Sequence, residues 1–96
     1  MAAYVIAFVE MLDEKVFRDY QGVAGSAFGA YDAKFLTRGA EHEILEGPAE
    51  DRTCVLVEFP SVEQAKAFWN SPEYQAAIKM REGAANMQVL LIPGGE

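Results

Sequence analysis

A chain of 96 residues with 51% hydrophobic residues and a formal net charge of −7 has the composition of one globular domain, which we place over residues 1–96. Its acidity argues against nucleic acid as a partner, since phosphate contacts need clustered Lys and Arg, and its single cysteine, Cys54, excludes an internal disulfide and a cysteine zinc cluster. No apolar run reaches the ~20 residues of a membrane span, and the start lacks the basic region of a signal peptide, so we expect a cytoplasmic protein without a membrane partner.

The first third of the chain predicts a strand followed by a helix. Ala3–Met11 is rich in β-branched and aromatic residues, which is typical of a strand. Asp13 is placed to cap a helix from Glu14 to about Ala30. Apolar residues recur along that helix at three- and four-residue steps and define its buried stripe: Val16, Tyr20, Val23, Ala24, Ala27 and Tyr31. The same helix contains glycines, from which we expect close packing: Gly22, Gly25 and Gly29.

The middle of the chain predicts two strands joined by a turn. Ala33–Arg38 is the second strand of the chain, which we expect to bulge or bend at Gly39 and to resume through Glu41–Glu46. A bulge at Gly39 would move Arg38 to the other face. Gly47–Asp51 has the composition of a turn, and Thr53–Phe59 predicts the next strand.

The last third predicts a helical region in two pieces and a final strand. Ser61 and Gln64 form a capping box that begins the first piece. Pro72 occupies the favoured first position of a restarted helix, and Gly83 is placed to end it. Asn86–Ile92 predicts the fourth strand.

The order of elements, β-α-β-β-α-β, favours a ferredoxin-like α+β fold with both helical regions on one face of an antiparallel sheet and strands one and three in its centre. Such a sheet alternates apolar and polar residues, yet strands one, three and four are apolar at nearly every position. The face without helices then needs a cover, and a second copy of the chain is the simplest one. We therefore expect a homodimer; the alternative is that the helices and the tail wrap further around the sheet.

Several short segments along the chain are together characteristic: Ala3–Ala7, Phe35–Gly39, Leu45–Gly47, Val57–Ser61, Ser71–Gln75 and Arg81–Ala84. The sequence resembles the family known as domain of unknown function 1330 (DUF1330) over nearly its whole length. The resemblance implies a dimeric α+β barrel, in which two ferredoxin-like sheets pack face to face, and it implies no reaction. One departure precedes Phe35, where Asp32-Ala33-Lys34 stands in place of an expected Gly-Gly pair.

One register of the predicted hairpin gathers polar side chains on a single face. Pairing Glu46 with Arg52 places Arg38, His42, Cys54, Leu56 and Glu58 on that face, with Arg38 opposite Pro60, Ala40 opposite Glu58 and His42 opposite Leu56. Glu10 reaches the same end of the sheet if the two central strands run parallel.

These residues have a catalytic and a structural interpretation. In the catalytic one, Glu58 is a general base tuned by burial, Arg38 binds an anionic group of the ligand, and His42 is the alternative proton carrier. In the structural one, Arg38 and Glu58 form an ion pair and His42 is an exposed strand residue. Cys54 is expected to be inert core.

Aromatic residues with polar groups complete the candidate site. Tyr20 and Tyr74 are candidates to line a pocket and to donate a hydrogen bond to a ligand. Trp69, which we also expect to anchor the second helical region with Phe68, is a further ligand-binding candidate. No cofactor or metal motif is visible. The sequence therefore leaves three functions open. The first is a cofactor-independent enzyme acting on a small molecule, and the second is a non-catalytic dimer that binds a small anionic ligand or a protein. The third is a stress or housekeeping protein whose dimer face is its main interaction surface.

Overall fold

The computed structural model describes residues 1–39 and 41–95 as one α+β domain. Its elements in chain order are β1 (Ala3–Met11), α1 (Glu14–Ala30), β2 (Lys34–Arg38), β3 (Thr53–Phe59), α2 (Val62–Trp69), α3 (Pro72–Met80) and β4 (Ala85–Pro93). The strands form an antiparallel sheet in the order β2-β3-β1-β4, with β3 and β1 in the centre. The ferredoxin-like arrangement predicted from the order of elements is confirmed, and the second helical region is divided into α2 and α3.

Side chains of short polar residues begin each helix. Asp13 accepts a hydrogen bond from the backbone N–H of Val16 at 3.2 Å and caps α1. Ser61 accepts from the backbone N–H of Gln64 at 3.0 Å and caps α2. These bonds satisfy N–H groups that have no partner inside the helix, which is why the helices begin where the sequence predicts.

The core lies between the helices and one face of the sheet. Its buried members on the sheet include Ala7, Val57 and Phe59, against which Phe68 of α2 packs with a ring-centroid distance of 5.1 Å to Phe59. The predicted anchoring role of Phe68 is therefore confirmed.

The buried stripe of α1 agrees with the predicted one at Tyr20, Ala24 and Ala27. It differs at its edge, since Phe17, which the prediction omits, is 5% exposed, whereas Val16 and Val23 are 36% and 39% exposed. The buried side of α1 packs against α3, where Tyr20 meets Tyr74.

The predicted extension of the second strand is wrong. β2 ends at Arg38, and the described residues 41–52 contain no strand. A bulge between Phe35 and Thr37 inserts one residue into β2, so that Phe35 pairs with Val57 and Arg38 pairs with Val55. The register that places Arg38 opposite Pro60 is therefore also wrong, and the Ala40–Glu58 pairing lies outside the described residues.

The turn before β2 accommodates the departure from the family pattern. Asp32 has a φ of 60°, a left-handed conformation that glycine adopts most easily and that Asp tolerates better than most residues. Asp32 thus takes the backbone role for which a glycine is expected.

The face of the sheet opposite the helices, hereafter the open face, is largely apolar. It presents Tyr4, Ile6, Phe8, Leu56, Leu90 and Ile92, which alternate along their strands with residues that face the helices. The Cα atoms span only 16 Å along the shortest axis, which is the thickness of one sheet and one helical layer. The predicted two-sided apolar sheet is confirmed. No helix in the described ranges combines the length and apolar character needed to cross a membrane.

Candidate functional site

A cavity of about 610 Å³ lies between α1 and the sheet. Its walls are mostly apolar and are formed by β1, α1, β2, β3, α2, α3 and β4. The polar side chains that line it are Tyr20, Gln21, Arg38, Thr53 and Tyr74. A concave, mainly apolar space with a few polar groups is the usual form of a small-molecule site.

Two buried tyrosines form the main polar feature of this cavity. Tyr20 of α1 and Tyr74 of α3 are 5% and 2% exposed, and their hydroxyl oxygens are 2.7 Å apart. Ser71 positions Tyr74, because its side chain caps α3 by accepting from the Tyr74 backbone N–H. Burial, and next the neighbouring Tyr74, raises the pKa of Tyr20 far above its ordinary value. The Tyr20 hydroxyl is therefore neutral at physiological pH.

Arg81 lies behind this pair. Its Cζ is 5.5 Å from the centroid of the Tyr20 ring, which is a cation–π distance. Its Nε is buried and has no hydrogen-bond partner among the described residues. Because the C-cap of α3 is Arg81 itself, this charge is fixed by the end of the same helix that carries Tyr74.

Arg38 stands at the rim of the cavity. It pairs with Val55, whose side chain packs toward the core, so Arg38 lies on the helix side of the sheet. Its guanidinium is 4.2 Å from the centroid of the Phe35 ring, and the residue is exposed. Arg38 forms no ion pair with any residue that the structure describes, so its charge is available to a ligand at the mouth of this mostly apolar space.

Trp69 also lines the cavity and is half-buried. Its ring centroid is 5.3 Å from that of Tyr74. The structure thus brings together four of the residues singled out from the sequence: Tyr20, Arg38, Trp69 and Tyr74.

Glu58 lies on the other side of the sheet from Arg38. It alternates with the core residues Val57 and Phe59, pairs with Lys34 and Tyr4, and does not line the cavity. The predicted grouping of Arg38 with Glu58 on one face is wrong because the bulge in β2 turns Arg38 to the helix side.

The remaining members of the predicted cluster are also dispersed. Exposed His42 donates from Nε2 to the backbone carbonyl of Glu50 at 2.6 Å, outside any strand. Cys54 is half-buried on the open face instead of lying in the core. β1 and β3 are antiparallel, so Glu10 lies at the opposite end of the sheet from Glu58 and accepts a hydrogen bond from Asn86. Within residues 1–39 and 41–95, no three metal-ligating side chains converge.

The loop before β3 carries an ion pair that the sequence analysis missed. Arg52 and Glu50 approach to 2.7 Å in a two-pronged contact, and Arg52 also lies 4.9 Å from the Phe8 ring centroid. The hydrogen bonds from Arg52 lower the pKa of Glu50 to about 2. Arg52 also donates a hydrogen bond to Gln88 of β4, so this residue holds the end of the loop against the open face.

The glycines of α1 do not serve close packing, contrary to expectation. A Cβ atom placed on Gly22, Gly25 or Gly29 meets nothing within 4 Å. Gly25 and Gly29 line the cavity, and Gly22 does not. The signal that sequence reasoning missed is spacing, since Gln21, Gly25 and Gly29 follow one another at four-residue steps on one side of the helix.

The fold and this cavity define a ferredoxin-like α+β domain with a cleft, partly open to solvent, between its helices and its sheet. The chain matches the family described as Domain of unknown function (DUF1330) over residues 2–95, and it belongs to that family.

Solved structures with the same fold include proteins of known and unknown function. A protein of unknown function from Rhodopseudomonas palustris is 20% identical with a TM-score of 0.74, over 99% of this chain and 83% of that one. Hydroxynitrile lyase from Passiflora edulis is 19% identical with a TM-score of 0.72, over 99% and 94%. A dimeric ferredoxin-like protein of unknown function from Jannaschia sp. CCS1 is 14% identical with a TM-score of 0.67, over 98% and 100%. No match was found among curated protein sequences.

Proposed function

We propose that this protein binds a small, largely apolar molecule that carries an anionic group, in the cavity between α1 and the sheet. The observation that carries the proposal is the cavity itself, with two buried tyrosine hydroxyls deep in it and Arg38 at its rim. Its volume of about 610 Å³ lies in the range of small-molecule sites.

The tyrosine pair supplies a hydrogen-bond donor to such a ligand. In a hydroxyl pair one O–H donates to the other oxygen, so the second O–H is left to donate elsewhere. The raised pKa of Tyr20 keeps the Tyr20 hydroxyl protonated at neutral pH. Among the described residues, no carboxylate or imidazole lines the cavity, so the polar groups there favour a ligand with acceptor oxygens.

Two matched cations on β2 test this proposal. Lys34 and Arg38 are both exposed, but only Arg38 lines the cavity. In calorimetric titrations with 1-anilinonaphthalene-8-sulfonate, an aromatic anion, we expect one site per chain. Arg38→Ala should weaken binding by about tenfold, because it removes a charge-assisted hydrogen bond. Lys34→Ala should bind as the wild type does. Absence of saturable binding, or equal loss in both variants, would contradict the proposal.

A second candidate function is catalysis on the same ligand without a cofactor. It is favoured by the neutral Tyr20 hydroxyl, which can stabilise negative charge that develops on a ligand oxygen, and by the likeness to a hydroxynitrile lyase. Native mass spectrometry of freshly purified protein separates the two functions. A bound compound that stays unchanged during long incubation supports binding, and its conversion to a new mass supports catalysis. The catalytic roles of Glu58 and His42 stay predictions, for which the cavity supplies no support.

We also propose that the open face is covered by the open face of a second copy, giving a dimeric α+β barrel. Strand spacing and rise give this sheet a footprint of ~19 by ~30 Å, and apolar surfaces above a few hundred Å² mark interaction sites. Polar residues such as Glu10, Glu58 and Lys34 lie toward its edges, as they do at the rim of interfaces. The similar Jannaschia protein is described as dimeric.

A further inference from the structure

The residues that line the cavity divide into a buried set and an exposed set. Tyr20, Ala24, Val57 and Tyr74 are at most 5% exposed and form the interior. The exposed lining residues are Met11, Gln21, Gly25, Gly29, Arg38 and Thr53. The mouth of the cavity therefore opens along the exposed set, between one side of α1 and the edge formed by β2 and the start of β3.

The α1 side of this mouth consists of one glutamine and two glycines. Gln21, Gly25 and Gly29 lie one turn apart on the same side of the helix, so the two glycines occupy the middle and one end of that side. Facing them across the mouth is Arg38, the cation expected to meet the anionic group of a ligand.

Neither packing nor backbone conformation explains these two glycines. A Cβ atom at either position meets no other atom within 4 Å, and neither residue has the positive φ that favours glycine. Glycine is also the poorest helix former after proline, so both positions weaken α1. What the missing side chains do provide is an unobstructed opening beside Arg38.

We propose that Gly25 and Gly29 form the entrance through which a ligand reaches the cavity, and that their lack of side chains sets the width of ligand admitted. This inference rests on the proposed binding function. In this arrangement the two glycines determine how wide an apolar group can pass, and Arg38 binds the anionic group. The tyrosine pair donates a hydrogen bond to the inner end of the ligand.

Leucine substitutions test the entrance, with a matched control on the same helix. Gly25→Leu and Gly29→Leu place a side chain at the mouth, whereas Gly22→Leu adds the same atoms on α1 at a position that meets nothing and does not line the cavity. Association of 1-anilinonaphthalene-8-sulfonate is followed by stopped-flow, with Trp69, the single tryptophan, as the fluorescent reporter. We expect association at least tenfold slower in the first two variants and unchanged in Gly22→Leu.

The outcomes separate this inference from the function on which it rests. If the wild type does not bind the probe, the binding function itself is overturned. If the wild type binds and all variants associate at its rate, or Gly22→Leu is slowed equally, only the entrance is overturned. Circular dichroism checks folding; should a leucine variant not fold, the Gly25→Ala/Gly29→Ala double variant is compared with Gly22→Ala, where equal association rates overturn the entrance.

Discussion

At the scale of single residues, the Tyr20 hydroxyl shows how the surroundings of an ionisable group change its pKa. The side chain is 5% exposed, and its nearest polar neighbour is another tyrosine. Both conditions disfavour the phenolate, so the folded protein holds this proton at a pH where an unfolded chain releases it, above about 10. The sequence around Tyr20 does not reveal this shift, because burial in the folded core is its largest cause and Tyr74 of α3 is the next.

This difference predicts an alkaline loss of stability that Tyr20→Phe removes. Above about pH 10 the unfolded chain binds fewer protons than the folded one, so the free energy of unfolding falls as pH rises, by about 1.4 kcal/mol per pH unit from this residue. Below that pH it contributes no slope. Urea unfolding from pH 8 to 11 measures the free energy of unfolding of both proteins. Above pH 10 that of the wild type should fall more steeply with pH than that of Tyr20→Phe. If the two free energies change in parallel over the whole range, the folded protein does not hold the Tyr20 proton.

At the scale of elements, most helix and strand bounds could be predicted because local signals decide them. The caps at Asp13 and Ser61 and the restart at Pro72 depend only on residues within one turn. A bulge near Gly39 was one prediction, but its actual position between Phe35 and Thr37 could not be predicted, since one inserted residue changes which face Arg38 occupies without changing the apolar pattern around it. The predicted site was therefore wrong at this strand. The residues named on α1, α2 and α3 do line the cavity, and their role in binding stays a prediction.

Replacing a glycine by alanine should change stability in opposite directions at two positions, Gly22 and Gly83. Gly22 lies in α1 with open space around it, and Gly83 follows α3 with a φ of 78°. We expect Gly22→Ala to raise the free energy of unfolding by about 0.5–1 kcal/mol through better helix propensity. Gly83→Ala should lower it by about 1 kcal/mol, because an L side chain is strained at positive φ. Urea unfolding measures both; a loss in Gly22→Ala would indicate a packing role after all.

At the scale of the whole molecule, the cavity results from how far α1 stands from the sheet. Its floor combines Tyr20 from α1 with Tyr74, 54 positions later in the chain. Periodicity places each tyrosine on the buried side of its own helix, but only the packing of α1 against α3 brings the two hydroxyls together. Each tyrosine could be named as a candidate from the sequence, whereas the cavity that they line together could not be predicted.

The whole-molecule prediction concerns the open face. Leu90 on that face and Val23 on α1 are 41% and 39% exposed, so a glutamate at either position meets similar surroundings in an isolated chain and takes the net charge from −7 to −8. In a dimer joined through the open face, however, Leu90 is buried, and an unpaired charge there is strongly unfavourable. Light scattering should give twice the 10.6 kDa chain mass for the wild type and Val23→Glu, and a single chain mass for Leu90→Glu. A monomeric wild type would refute the dimer, and a dimeric Leu90→Glu would move the interface away from this face.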